Sequence, residues 1–294
     1  MIKRTVILFG ASGFVGQHLC LKLIQQGFEI RGLVRDFAKA SALLPPEVKL
    51  FYANLPDQID PKAFEGANNI VIHCAYGMEL MTRNALIAVN VTGSKKIVEM
   101  SRTFGVKKII FLSSMSAHEG ALSVYGKTKL LVEQLLDKDA DLIVKPGFVI
   151  GDGSHYRNLV KLIRRIPIVP LFYMGVQPIQ TIAIEDLCEG ICRAIDADLT
   201  GTIHLAEPHS VSIKSFYQTI AQSLGLFRIY APCPGTPALL LMRLLEFFGV
   251  KLPFSSENLL GLKRLIDYNI DADLEKINFV PRSMHESVLQ LKSD

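Results

Sequence analysis

The apolar run Thr5-Val6-Ile7-Leu8-Phe9 passes directly into Gly10-Ala11-Ser12-Gly13-Phe14-Val15-Gly16, and an amphipathic segment follows from Val15 to Gln25. A short apolar run bounded by glycine reads as a buried strand, and the periodic segment after it reads as a helix. Glycines at intervals of three let the chain turn sharply and let backbone N–H groups at the helix start approach a pyrophosphate. A basic start before an apolar run also occurs in leader peptides. Here the run is only about five residues long and closes on the glycine turn, so Met1 to Phe9 reads as an opening strand.

The same alternation continues through the first half. Further strands are predicted at Glu29 to Val34, Lys49 to Tyr52, Ile70 to His73, Lys108 to Leu112 and Leu142 to Val144, with helices at Arg83 to Phe104 and Tyr125 to Leu136. Strands separated by helices imply a parallel α/β sheet, wound on both faces, whose carboxyl ends share one edge where ligands bind. After about Gly151 prolines cluster, the strands shorten (Thr181 to Ile184, Thr202 to Leu205), and helices are expected from Ser212 onward. The expected organisation is a nucleotide-binding domain over residues 1–150 and a smaller, mainly helical substrate region over 151–294, with residues near 200–207 returning to the main sheet.

Several classes are disfavoured by composition. A net charge of +4 on 294 residues, with no basic block, gives no footprint for nucleic acid. Five cysteines, an odd number at wide spacing without a C-x-x-C pair, read as reduced thiols of a cytoplasmic protein. Cys188 and Cys192 stand four apart on an expected helix, but no histidine follows at finger-like spacing, so no metal site is expected. Ile166 to Ile184 lacks charge, yet Pro167, Pro170, Gly175 and Pro178 break it as a spanning helix, so no transmembrane segment is expected. Pro237 to Val250, which carries Arg243 and Glu246, reads as a short apolar helix facing a core or a partner in preference to a membrane anchor.

Five landmarks occur in order over roughly residues 2–150: the G-x-x-G-x-x-G loop, Asn90-Val91-Thr92-Gly93, Ser113-Ser114 after an apolar strand, Tyr125-x-x-x-Lys129, and Lys145-Pro146-Gly147-Phe148-Val149. Together they resemble the short-chain dehydrogenase/reductase superfamily in its extended form, the NAD-dependent epimerase/dehydratase family. The resemblance implies a Rossmann-type doubly wound sheet and an enzyme that oxidises or reduces a secondary alcohol or ketone with a nicotinamide cofactor.

It also implies site residues. Ser114, Tyr125 and Lys129 would be catalytic, with Ser116 the fallback for the serine. Ten residues separate Ser114 from Tyr125, a short connection for an extended member. The cofactor would contact Gly10, Ser12, Gly13, Phe14, Val15 and Gly16 of the loop, together with Arg35, Asn54, Leu55, Cys74, Ala75, Tyr125, Lys129, Pro146 and Val149. Elementary chemistry supports the central pair. On a helix Tyr125 and Lys129 lie one turn apart on one face, and a cation beside a phenol favours phenolate, lowering its pKa toward working pH. Such a tyrosine can exchange a proton with a substrate hydroxyl.

Cofactor choice is read after the second strand. Val34 stands where members preferring NAD carry an acid, and Arg35 follows, which suits the 2′-phosphate of NADP, with Arg31 as a helper; NAD remains the alternative. Asn54 replaces an aspartate found in many relatives, and His73 reads as structural. Met115 and Ser116 replace the Asp-Glu pair of sugar-nucleotide dehydratases, which disfavours dehydration. For substrate, a sugar nucleotide undergoing epimerisation or keto reduction is the first expectation. Gln177, Ile179 and Gln180 stand where extended relatives carry a diphosphate-gripping arginine, leaving Arg157, Arg164 or Arg243 as substitutes. The alternatives are a ketoreductase or hydroxysteroid-type dehydrogenase acting on an apolar molecule, and a non-catalytic dinucleotide sensor or assembly subunit. The expected partner is a small-molecule substrate, with a homodimer left open.

Overall fold

The computed structural model describes residues 4–66, 69–77, 83–250 and 254–291. Its strands are β1 (Thr5–Phe9), β2 (Glu29–Val34), β3 (Lys49–Asn54), β4 (Gln58–Ile59), β5 (Asn69–His73), β6 (Lys108–Leu112), β7 (Leu142–Pro146), β8 (Phe148–Ile150), β9 (Ile168–Phe172), β10 (Pro178–Ile179), β11 (Thr181–Ala183), β12 (Gly201–Leu205), β13 (Val211–Ser212) and β14 (Ile229–Cys233). Eight of them form one sheet in the order β12-β7-β6-β5-β1-β2-β3-β4. The pairs β1·β2, β1·β5, β2·β3, β5·β6 and β6·β7 are parallel, and among the pairings described within this sheet only the short β4 is antiparallel to its neighbour. Every residue of β1, β5 and β6 is buried, as a strand covered on both faces requires. Strand order reverses at β1, which lies between β2 and β5, and such a switch point opens a crevice at the carboxyl edge.

Helices α1 (Phe14–Gln25), α2 (Phe37–Leu43), α3 (Arg83–Ile87), α4 (Gly93–Thr103), α5 (Val124–Glu133), α6 (Ser154–Arg165), α7 (Ile184–Asp196), α8 (Ile213–Ser223), α9 (Gly235–Phe247), α10 (Ser256–Lys263), α11 (Asp271–Lys276) and α12 (Met284–Gln290) complete the described secondary structure apart from short irregular turns. The unbroken helix expected from Arg83 to Phe104 is interrupted by a π-helical turn at Ala88–Thr92. The cause lies in Asn90, whose amide donates to the carbonyls of Leu86 (2.8 Å) and Gly77 (3.1 Å) and accepts from the Gly77 N–H (2.8 Å). A side chain inserted among the helix carbonyls widens the turn.

The chain forms two compact units: Met1–Ser114, Thr128–Lys145 and Cys188–His204 make the first, and Met115–Lys127, Pro146–Leu187 and Leu205–Asp294 make the second. It therefore passes between them more than once. The first unit packs around Ile7, Phe9, Phe64, Val71, Ile97 and Ile109. The second packs around Ile150, Leu171, Phe216, Ile220, Met284 and Val288. Helices α8 to α12 dominate the stretch after Ser212, with one strand among the described residues there: β14 pairs in parallel with β9, Ile229 opposite Ile168. Among the described residues no helix is long and apolar enough to cross a membrane.

Candidate active site

In the first unit the glycine loop leaves β1 at the switch point. Gly10 has φ +83°, and a Cβ there would stand 2.8 Å from the backbone nitrogen of Ala75, just past the end of β5. At Gly16 a Cβ would drive into the Gly10 carbonyl and lie 2.7 Å from that of Ala11. Only hydrogen at these two positions allows the loop to fold against itself and against Cys74-Ala75. The turn is closed by the Gly13 N–H on the Gly10 carbonyl (2.9 Å), and α1 starts from Gly13 with no capping side chain and no acid in its first turn. A cradle kept bare by glycine, opening on an uncapped helix start, fits a nucleotide diphosphate.

Lys129, on α5, lies in the same unit. Its side chain is buried, with 4% exposure, and Nζ donates to the Leu112 carbonyl at the end of β6 (2.6 Å). Nζ also stands 4.6 Å from the Phe111 ring centre and 5.2 Å from that of Tyr76. Burial depresses its pKa from 10.5 to about 8, against the opposing pull of Cys74 and Glu133. His73, at the end of β5, is 3% exposed, and burial followed by the nearby Lys129 charge lowers its pKa to about 3. Its tautomer follows from the chain of hydrogen bonds. Ser94 Oγ gives its one proton to the Asn90 carbonyl (2.6 Å), so His73 Nε2, at 2.7 Å from that oxygen, must be the protonated nitrogen. Nδ1 is then an unprotonated, buried atom without a hydrogen-bond partner among the described residues.

Ser113 and Ser114 follow β6. Ser113 is buried and donates to Glu133, whose other carboxylate oxygen pairs with Lys145 at 2.9 Å, whereas Ser114 is half-buried. Glu133 and Lys145 escaped the sequence reading as site residues, although Glu133 stands four residues beyond Lys129 and extends the same helix face. Arg35 and Asn54 close β2 and β3 at the carboxyl edge. Arg35 is exposed and makes no ion pair or hydrogen bond among the described residues, and Val34 beside it is buried. Arg31, the expected helper, is engaged elsewhere: it donates to the carbonyls of Ala63 (3.0 Å) and Glu65 (2.5 Å). Leu55 packs where a Cβ on Gly93 would lie 3.0 Å from its own Cβ, which explains the glycine of the Asn-Val-Thr-Gly landmark.

In the second unit Tyr125 is half-buried on α5, one turn before Lys129. Gly126 beside it leaves no room for a Cβ against the Ser116 carbonyl, so the 115–117 loop lies directly on this helix turn. That loop is held by Met115, whose N–H donates to Pro146 (3.1 Å) and whose carbonyl accepts from the Tyr268 hydroxyl (3.1 Å). Pro146 and Val149 belong to this unit, and Val149 pairs with Ile182 between β8 and β11. Gln180 is 5% exposed, donates to the carbonyls of Glu207, Pro208 and Tyr268 (3.0–3.3 Å), and accepts from the Tyr268 N–H at 2.9 Å. Gln177 donates to the Tyr173 carbonyl (3.2 Å), and Arg157 is paired with Asp152 (2.8 Å). The sequence marked Gln180 only as standing in place of an arginine and did not mark Tyr268, because the partners they find are distant in the chain.

Residues 6–205 match the family model described as the NAD dependent epimerase/dehydratase family, and the chain belongs to that family. Among curated relatives, it is 29% identical to a ceramide reductase of Caulobacter vibrioides over 211 residues, 70% of this chain and 65% of that protein. With a dihydroflavonol 4-reductase of Zea mays it shares 32% identity over 257 residues, 72% of each. A crystal structure of UDP-galactose 4-epimerase superposes with a TM-score of 0.69 at 19% identity, covering 99% of this chain and 98% of that one. The chain spans about half to two thirds of the length of the first three curated relatives it matches.

Proposed function

We propose that this protein is an NAD(P)-dependent oxidoreductase that interconverts a secondary alcohol and a ketone on a largely apolar molecule. The observation that carries the redox reading is Lys129, a buried ammonium placed one helical turn after Tyr125. Keeping a lysine in a site that depresses its pKa costs stability, and such strain is characteristic of functional positions. In this reading Tyr125 Oη exchanges the proton with the substrate oxygen, and Ser114 donates a hydrogen bond to that oxygen. Lys129 lowers the phenol pKa and holds the nicotinamide ribose. The bound cofactor supplies or accepts the hydride. The bare glycine cradle from Gly10 to Gly16 takes its diphosphate, and Arg35 takes a 2′-phosphate, so NADP(H) is preferred.

The substrate class rests on Gln177 and Gln180. In the segment where extended relatives place a diphosphate-gripping arginine, both side chains are uncharged and already bonded to backbone carbonyls, which leaves no grip for a nucleoside diphosphate. The names of the two reductases reported above agree with this direction. A sugar-nucleotide substrate, the first expectation from sequence, is the second reading, and it draws on the fold shared with UDP-galactose 4-epimerase. Five free cysteines suit a reducing, cytoplasmic setting.

Mass spectrometry of small molecules that co-purify with the native protein separates the two. An apolar ketone or alcohol, turned over with NADPH or NADP in an absorbance assay, supports the proposal. A bound nucleoside diphosphate sugar overturns it.

A further inference from the structure

The second unit carries an apolar face that its own core leaves uncovered. On α9, Leu240, Leu241, Leu244 and Phe247, with Phe248 at its C-terminal cap, recur at helical spacing, and all are more than half exposed, Phe247 reaching 83%. The helix is anchored from its other side, where Met242 is buried and Gly235 sits so close to the Tyr173 ring that a Cβ would overlap it. Directly before α9 in the chain, the β9·β14 pair presents a second apolar edge. Ile168 and Ile229 face each other across the register at 54% and 55% exposure, and Phe227 beside them is 87% exposed. A stripe of this size is unusual on a surface meant for water.

Charge around these elements is one-sided. The spans Asp152–Ile184 and Pro208–Ser256 contain eight Lys and Arg and two acids, Asp152 and Glu246, and Asp152 is taken up by Arg157, although the whole chain carries only +4. Even Glu246 is turned inward, accepting from the N–H (2.7 Å) and hydroxyl (2.6 Å) of Ser256 at the start of α10. Arg228 donates only to carbonyls, those of Ile163, Arg164 and Phe227, so its charge is not neutralised by a carboxylate. Exposed Arg164, Arg165 and Arg243 make no ion pair among the described residues.

We infer that this face is a docking surface for an anionic lipid bilayer: the α9 stripe enters the acyl boundary, and Arg164, Arg165, Arg228 and Arg243 meet the headgroups. Exposed aliphatic and phenyl side chains on one face can enter the acyl boundary, while arginines beside them such as Arg243, unpaired among the described residues, meet anionic headgroups. A second copy is the poorer occupant, because a two-fold contact would set this surplus of positive charge against itself.

Vesicle co-sedimentation of the full chain tests the inference. Pure phosphatidylcholine is compared with phosphatidylcholine containing about 30% phosphatidylglycerol, at low and high salt. Binding to the anionic vesicles alone, weakened by salt, is expected. The exposed pair Leu244→Ser and Phe247→Ser should reduce that binding by roughly tenfold or more, and Arg164→Gln with Arg165→Gln by about tenfold, with thermal melts unchanged. Absence of binding, equal binding to both vesicles, or light scattering that shows a dimer dissolved by the Leu244/Phe247 pair would overturn it.

Discussion

The ammonium of Lys129 is tied to the carbonyl of Leu112, 2.6 Å away at the carboxyl end of β6, so a buried charge is held at the sheet edge by a backbone acceptor. Burial outweighs this bond, and the folded pKa of about 8 lies below the ordinary 10.5. Between those values the unfolded chain binds more protons than the folded one, so stability rises with pH through this window. At neutral pH the charged lysine therefore weighs against the fold. Lys129→Met is expected to raise the melting temperature by ~2–4 °C, equivalent to about 1 kcal/mol, while weakening cofactor binding and turnover. Calorimetric melts beside cofactor titrations check both halves.

His73 gives a dependence of the same sign at acid pH. Its folded pKa near 3 lies well below the ordinary 6.5, so the unfolded chain takes up a proton that the native state refuses, and stability falls as pH drops below 6.5. From pH 6.5 to 5 this amounts to ~1–2 kcal/mol. His73→Gln, which keeps a donor toward Ser94 Oγ, should lose about that much of the acid sensitivity in melts at pH 7 and pH 5.

Gly16 tests the cradle. A methyl group there collides with the Gly10 carbonyl and lies 2.7 Å from that of Ala11, and backbone cannot swing aside as a side chain can. Gly16→Ala is expected to cost ~1–3 kcal/mol of stability and to abolish detectable binding of either nicotinamide cofactor by calorimetric titration. Gly27→Ala, at a glycine with positive φ and nothing within 4 Å of the added methyl, should spare cofactor binding.

Arg35 decides between cofactors. It is exposed and unengaged among the described residues, next to a buried Val34 that offers no acceptor to ribose hydroxyls. NADP(H) should bind more tightly than NAD(H), and Arg35→Ala should narrow the gap by ~1.5–3 kcal/mol, the worth of a charge-assisted hydrogen bond. Equal affinities in the unaltered protein would remove Arg35 from the site.

Where the sequence spoke plainly, it did so through buried strands. β1 and β6 run over the residues expected, Thr5–Phe9 and Lys108–Leu112, because nearly continuous apolar runs can be stable only inside a doubly covered sheet, and β2 covers Glu29–Val34 as expected. The glycine loop was legible for a related reason: the clashes at Gly10 and Gly16 are short-range. Long-range pairings left no such mark. β14 reads as an irregular stretch until Ile229 finds Ile168, and Gln180 looks like a replaced arginine until Glu207, Pro208 and Tyr268 close around it. The π-helical turn at Asn90 likewise depends on Gly77, thirteen residues earlier.

The central claim is that Tyr125 moves the proton, and turnover of Tyr125→Phe tests it most directly. The substitution keeps the ring and removes one hydroxyl. With the substrate found by co-purification, the rate of nicotinamide absorbance change should fall by ~10²–10⁴, while cofactor affinity and melting temperature stay near those of the unaltered protein. Ser114→Ala should lower turnover more than cofactor affinity, and Ser116→Ala should be mild. Near-normal turnover by Tyr125→Phe would contradict the assignment and leave a dinucleotide-binding protein whose chemistry, if any, lies elsewhere.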